Sequence, residues 1–233
     1  MRVLGIVPAR AGSVRVRRKN LRPLGGRPLV EWVIRTARSA STLDRLVVSS
    51  DDPDVLALAD RLAPGSALIR PPEFATAEAP AIAYVRHALA VEEAAGQLFD
   101  AVAILQPTSP FTEPADIDAA VALLCSTGAD SVVTVVRVAH DIHPLKLKTL
   151  DGDRLLPYLE EERGRMAEAD LPAVYVRNCA VYVSSRHTID AGDLLGTDSR
   201  GYVMPRERSI DINDEFDFAL AELLLNRIRG DAG

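Results

Sequence analysis

Short continuous apolar runs recur along the chain, each closed by a turn-forming or polar segment and followed by a stretch with helical spacing. Val3-Leu4-Gly5-Ile6-Val7, Arg45-Leu46-Val47-Val48-Ser49-Ser50-Asp51, Ala67-Leu68-Ile69-Arg70, Ala101-Val102-Ala103-Ile104-Leu105 and residues 131–138 read as strands. Between them, residues 28–40 set Leu29, Val33, Ile34 and Ala37 on one helical face, with Pro28 suited to a first turn. Asp52-Pro53 opens a helix carrying Val55, Leu56, Leu58, Ala59 and Leu62, and residues 80–95 and 114–126 predict two more. A last helix follows Asp214, a candidate N-cap, and presents Phe216, Ala219, Leu220, Leu223, Leu224 and Ile228. Continuous β-rich runs separated by helices predict an α/β fold with a mainly parallel sheet and helices on both faces.

In such sheets ligands bind beyond the C-terminal ends of the strands. That places Pro8-Ala9-Arg10-Ala11-Gly12-Ser13-Val14-Arg15-Val16-Arg17-Arg18-Lys19-Asn20, Ser49-Ser50-Asp51-Asp52 and Gln106-Pro107-Thr108-Ser109-Pro110 on one rim. The first of these is small, glycine-containing and densely cationic. Small residues let backbone N–H groups approach an anion, and arginines neutralise it. A solvated basic loop is the plain alternative. Near His140 the rhythm changes, and a polar, charge-dense stretch returns through residues 173–183; residues 140–175 are expected to form an inserted lobe on a single 1–233 domain.

Composition narrows the function. A formal net charge of -6 makes the basic loop a local feature and argues against broad nucleic-acid binding. No apolar run approaches the roughly 18 residues of a membrane span, and the N-terminus lacks the apolar core of a secretory signal, so no membrane partner is expected. Two cysteines, Cys125 and Cys179, fit a reduced, cytoplasmic setting. The four histidines, His87, His140, His143 and His187, show no metal-ligand spacing, and no Ser-His-Asp arrangement stands out.

Several segments, in order along nearly the whole chain, resemble the acylneuraminate cytidylyltransferase family, the CMP–sialic acid synthetases and their relatives. They are Pro8-Ala9-Arg10-Ala11-Gly12-Ser13, Arg18-Lys19-Asn20-Leu21, Pro23-Leu24-Gly25-Gly26-Arg27-Pro28-Leu29, Val47-Val48-Ser49-Ser50-Asp51, Leu105-Gln106-Pro107-Thr108-Ser109-Pro110, His143-Pro144-Leu145-Lys146, Arg177-Asn178-Cys179-Ala180-Val181-Tyr182 and Ser209-Ile210-Asp211-Ile212-Asn213. The resemblance implies a Rossmann-like nucleotidyltransferase that binds CTP and Mg²⁺ or another divalent cation, and dimerises through the inserted lobe. An acceptor hydroxyl would attack the α-phosphorus and release pyrophosphate. Carried over by position, Ala9, Arg10, Ala11, Gly12, Ser13, Arg15 and Asn20 would contact the nucleotide, and Arg10 and Lys19 would stabilise the transition state. Gln106, Lys146 and Asn178 would face an acidic sugar acceptor, and Asp211 with Asn213 would hold the metal.

Each assignment has a structural alternative. Arg10 would serve as a bridge to a carboxylate, Asn20 as a turn residue, Gln106 as a strand-end backbone partner, Lys146 as a solvated charge and Asp211 as the start of the last turn. The chain also departs from the family pattern. Asn213 stands where a second aspartate is common, Val14 where the loop often carries lysine, and Cys179 at the usual glycine. Residues 76–81 lack the hydroxyl-rich pattern many relatives place near the pyrimidine. Ala167-Glu168-Ala169-Asp170 precedes Leu171-Pro172 where an arginine is common, with Arg163 and Arg165 out of register. These departures point to an atypical nonulosonate or another acidic acceptor, such as a 3-deoxy-octulosonate or a phosphonate. A non-catalytic nucleotide-binding protein is the alternative outside enzymology.

Overall fold

The structure, a computed structural model, describes residues 1–12, 16–159 and 171–230. The chain opens with β1 (Val3–Pro8). The short hairpin β2 (Pro23–Leu24) and β3 (Arg27–Pro28) follows, then helix α1 (Leu29–Ser39). Next come β4 (Arg45–Ser50), α2 (Pro53–Leu62), β5 (Ala67–Ile69), α3 (Ala81–Ala94), β6 (Ala101–Leu105), α4 (Pro114–Thr127) and β7 (Ser131–Arg137). A second hairpin, β8 (Lys148–Asp151) and β9 (Arg154–Pro157), leads to β10 (Tyr175–Ser185), α5 (Arg186–Asp190), β11 (Ser199–Val203) and α6 (Glu215–Gly230).

Seven strands form one sheet in the order β11-β7-β10-β6-β1-β4-β5. All neighbouring pairs are parallel except those of β10, which runs against both β6 and β7. The fold is therefore α/β with a mostly parallel sheet, and α1, α2 and α4 pack on one face while α3 and α5 pack on the other. The reversal of β10 has a plain cause: the chain leaves the sheet at its C-terminal rim after β7 and re-enters from that same rim at Tyr175. The edge strand β11 carries no apolar run, and only Tyr202 within it is partly shielded, so periodicity did not announce it.

Helix ends follow local chemistry. Asp52 caps α2, its carboxylate accepting from the Asp54 N–H at 2.9 Å, with Pro53 in the first turn. Asp214 accepts from the Asp217 N–H at 3.0 Å and opens α6, as its sequence position predicts. A small third core joins Leu24, Leu29, Phe111, Ile212, Phe218 and Leu225, and it seats α6 beside the loop after β1. Residues 140–159 leave the sheet through two 3-10 turns and the β8–β9 hairpin, whose eight residues are all exposed. Residues 160–170, with Arg163 and Arg165, lie outside the described residues. Among the described residues no helix is long and apolar enough to cross a membrane.

Candidate active site

The rim is built first by β1 and β4. The Ala9 N–H donates to the Ser49 carbonyl at 2.9 Å, and the Ser50 hydroxyl donates to the Ala9 carbonyl at 2.6 Å. The loop therefore leaves β1 pinned to the end of β4. Beyond it, the Ala11 N–H donates to Asp51 Oδ1 at 2.8 Å, and Arg10 Nη1 reaches the Gly12 carbonyl at 2.5 Å. A Cβ on Gly12 would meet Arg10 Nη1 at 2.7 Å, so a side chain there would displace the tip of Arg10. Asn20 Nδ2 donates to the Arg10 carbonyl at 3.0 Å and closes the loop. Ser13 and Arg15 lie outside the described residues.

The C-terminal segment meets this loop. Lys19 Nζ donates to the Ile212 carbonyl at 2.8 Å, and Ile212 is fully buried in the third core. Its neighbours Asp211 and Asn213 are thereby held at the same end of the sheet, and Asn213 Nδ2 donates to Asp211 Oδ2 at 2.9 Å. The Asp217 carboxylate in turn accepts from the Asn213 N–H at 2.8 Å. Arg22 grips α6 from the other side, paired with Glu215 and stacked 4.0 Å from the Phe218 ring centroid. One carboxylate and one amide oxygen are hard donors that suit Mg²⁺, which takes one or two carboxylates and completes its shell with water and phosphate oxygens. Among the described residues no cluster of three or more Asp, Glu, His or Cys side chains is arranged to hold a metal.

A cavity of about 220 Å³ opens between the loop and the ends of β5 and β6, lined by Pro8, Arg10, Arg70, Phe74, Tyr84 and Gln106 among others. Arg70 is only 4% exposed. Its Nε donates to Ser49 Oγ at 3.0 Å, its Nη2 to the Ser49 carbonyl at 2.9 Å, and its guanidinium sits 4.4 Å from the Tyr84 ring centroid. Burial lowers the Arg70 pKa; Tyr84 and Asp51 oppose that shift, and Arg10 adds to it. Burial likewise pushes the Tyr84 phenol up to about 12, against the pull of Arg70. Two guanidinium groups thus look into one cavity with an aromatic wall, which suits a ligand carrying both an anion and a flat ring.

A second cavity, of about 290 Å³, shares Ala81 with the first and is walled by Ile82, Arg177, Tyr182, Asp193, Leu194 and Leu195. Burial, then the hydrogen bond to Cys179, push the Tyr182 phenol well above its usual range, while Arg177 pulls the other way.

The family model described as Cytidylyltransferase matches residues 4–162. The chain belongs to the cytidylyltransferase family. It is an enzyme of the nucleotidyltransferase class. The chain is 30% identical over 229 residues to the CMP-N,N'-diacetyllegionaminic acid synthase of Legionella pneumophila, covering 97% of each. It is 29% identical over 222 residues to the N-acylneuraminate cytidylyltransferase of Escherichia coli O18:K1:H7, covering 94% of this chain but 51% of that protein, so it spans about half of that relative's length. Among solved structures, a CMP:2-keto-3-deoxy-manno-octonic acid synthetase complexed with CTP shares the fold at a TM-score of 0.69 and 17% identity, over 97% of this chain and 99% of the other.

Within this cytidylyltransferase, Ala9, Arg10, Ala11, Gly12 and Asn20 form one hydrogen-bonded loop, and Lys19 joins it to Asp211 and Asn213. Gln106 borders the first cavity, its backbone N–H bonded to the Ala180 carbonyl at 3.1 Å. Asn178 takes a different place from the one its motif position suggests. It is 4% exposed, and its amide is committed to Met204 Sδ at 3.2 Å and Ser209 Oγ at 2.9 Å, so it braces β10 from inside. Lys146 ends the 3-10 turn Pro144–Lys146 with its Nζ 2.7 Å from His140 Nε2, and it lines neither cavity. Sequence reading passed over Arg70, Tyr84 and Arg177. Arg70 carries no local mark in the sequence, since an arginine closing a short strand before Pro71-Pro72 reads as a solvated strand end.

Proposed function

We propose that this cytidylyltransferase transfers CMP from CTP to the hydroxyl of an acidic sugar, a nonulosonic or related sugar acid, with release of pyrophosphate. The observation that carries the reading is the cavity in which Arg10 and Arg70 converge beside the Tyr84 ring, at the strand ends of a chain in this family. The names of the legionaminate and neuraminate relatives support the acceptor class.

In this reading the backbone of residues 9–12 and the Arg10 guanidinium receive the triphosphate. The Ala11 N–H exchanges Asp51 for a phosphate oxygen, and Arg10 leaves Gly12 to do the same. Arg70 and Tyr84 hold the cytosine end. The acceptor oxygen, presented beside Gln106, forms a bond to the α-phosphorus as the bond to the bridging oxygen of pyrophosphate breaks, and the hydroxyl proton leaves to solvent. Lys19 and Arg10 stabilise the charge that spreads over the α-phosphate, so alignment and electrostatics do most of the work. Asp211 and Asn213 would hold Mg²⁺, which when bound supplies further neutralisation of the phosphates. Lys146 would meet the acceptor from the lobe, while Asn178 keeps β10 in place.

A homodimer is part of the proposal. An isolated two-stranded hairpin is marginal in water, and β8–β9 leaves Leu150, Leu155 and Tyr158 exposed, with Tyr175 and Val176 exposed where β10 begins. A cytoplasmic setting is supported by the free thiols Cys125 and Cys179.

The test incubates purified protein with CTP, Mg²⁺ and a panel containing nonulosonic acids, a 3-deoxy-octulosonate and a phosphonate. Pyrophosphate is measured, and the CMP adduct is identified by mass spectrometry. Release with a nonulosonic acid is expected. No release with any acceptor would overturn the reading, and CTP binding without turnover would mark a non-catalytic relative. Sedimentation of the same sample reads the oligomeric state.

A further inference from the structure

The segment that carries Asp211 is fastened on both sides to one stretch of chain, residues 108–116. On one side the Ile212 N–H donates to the Thr108 carbonyl at 2.9 Å. On the other, Arg208 reaches Asp116 in the first turn of α4, its Nη2 2.7 Å from Oδ1 and its Nε 3.2 Å from Oδ2. Asp116 is fully buried, and it also closes the start of α4 by accepting from the Glu113 N–H at 2.9 Å. A carboxylate taken out of water needs a cation fitted closely to it. That explains why Asp116 has an arginine, but not why the arginine comes from a position three residues before Asp211.

Between the two fastenings the chain has little freedom. Arg206–Arg208 is a 3-10 turn, and the Arg208 and Ser209 N–H groups donate to the Pro205 and Arg206 carbonyls at 3.2 Å and 3.1 Å. Ser209 Oγ donates to the Pro205 carbonyl at 2.7 Å and accepts from Asn178 Nδ2 at 2.9 Å. At the far end Ile212 is held by Thr108 and by Lys19. Only Ile210 and Asp211 lie between these fixed ends, so the place of the Asp211 carboxylate follows from both of them. We infer that Arg208 is a positioning residue for the divalent cation: by clamping the Ser209 end to α4, it holds Asp211 where it can bind Mg²⁺. Arg208 is not itself a ligand, because its guanidinium is spent on Asp116, with Glu113 a further 3.5 Å contact. The clamped stretch begins two residues after Gln106, so the same frame sets the cation donors and the acceptor side together. The inference rests on the proposed Mg²⁺ site at Asp211 and Asn213.

The experiment melts the wild type, Arg208→Lys and the paired variant Arg208→Met/Asp116→Asn with saturating CTP and no acceptor, across a Mg²⁺ series. Removing Arg208 alone would strand the buried Asp116 charge and unfold the chain, so one variant keeps a cation and the other removes both charges. The reading is the Mg²⁺ concentration that gives half of the stabilisation. In the paired variant it should rise about tenfold or more, the scale on which contacts that orient a ligating carboxylate act. Arg208→Lys, which keeps the charge but not the fork, should give a smaller rise. CTP affinity in EDTA, measured by calorimetry, should stay within about twofold of the wild type in both. A paired variant whose half-stabilising Mg²⁺ concentration is within about twofold of the wild type overturns the inference and leaves the Mg²⁺ site standing, the ion pair then serving α4 alone. If the paired variant does not melt cooperatively, Arg208→Lys decides by the same criterion. A loss of CTP affinity in EDTA as large as the Mg²⁺ effect also overturns it, by moving the effect to the nucleotide. A wild type whose melting with CTP is indifferent to Mg²⁺ removes the cation from Asp211, and the role of Arg208 falls with it.

Discussion

The ammonium of Lys19 donates to the backbone carbonyl of Ile212 at 2.8 Å, across 193 positions of sequence. Because Ile212 is buried and flanked by Asp211 and Asn213, this contact fixes the cationic loop against the oxygen donors at the far end of the chain. Replacing Lys19 with methionine keeps the length and apolar stem but removes the charge. With CTP and acceptor saturating, kcat should fall about 10²-fold or more, the scale of losing one charge-stabilising donor. Thermal melting should move by only a few degrees, since the third core remains. A variant with near-normal kcat would remove Lys19 from the chemistry.

Arg70 predicts a binding effect of another kind. Its fork is spent on Ser49 and its face on Tyr84, so lysine cannot reproduce both. Arg70→Lys should weaken CTP binding about tenfold or more, with circular dichroism unchanged, as read by calorimetry. Tyr84→Phe retains the ring and should bind CTP within about twofold of wild type, whereas Tyr84→Leu forfeits the stacked cation, worth about 0.5–2 kcal/mol.

If Asp211 and Asn213 hold Mg²⁺, Asn213 sets how tightly the chain binds it. Asn213→Asp replaces an amide that donates to Asp211 with a second carboxylate beside it. In EDTA the two charges repel, and the melting temperature should drop below that of the wild type. With Mg²⁺ and CTP the drop should reverse, and the Mg²⁺ concentration needed for half-maximal stabilisation should fall several-fold. A melting temperature of the variant that is indifferent to Mg²⁺ would argue that these residues hold no metal.

Cys179 occupies a left-handed backbone position, φ 60°, within β10. Glycine adopts that conformation without the roughly 1 kcal/mol penalty a side chain incurs. Cys179→Gly should therefore raise the melting temperature by about 2–4 °C for a domain of this size, with Cys179→Val lowering it because a β-branched side chain fits that region worst. Scanning calorimetry on the three proteins decides it.

Much of this molecule was legible before any coordinates. The buried runs at β1, β4, β6 and β7 are continuous because both faces of those strands are covered, and Asp52 and Asp214 announced the helices they cap. The loop, Lys19 and the Asp211 segment were found through motif position, and they meet in space. Three things were not legible. The direction of β10 depends on where the chain re-enters the sheet, which no local pattern encodes. Asn178 sits in a motif beside ligand-facing residues, but alternation along the strand turns its amide inward to Met204 and Ser209. Arg70 looks like a surface residue in sequence, and it is buried only because Tyr84 and Ser49, from two other elements, close over it.

The antiparallel course of β10 divides the site by ownership. The first cavity is walled from the ends of β1, β5 and β6 and by Tyr84 of α3, whereas Arg177 and Tyr182 ride on one strand framed by β6 and β7. The irregularity at Cys179 lies between Arg177 and Tyr182, so a shift there would turn one side chain relative to the other while leaving Arg10 and Arg70 at the ends of β1 and β5 in place. A substitution on β10 therefore reaches the second cavity while leaving the Arg10 and Arg70 walls of the first untouched.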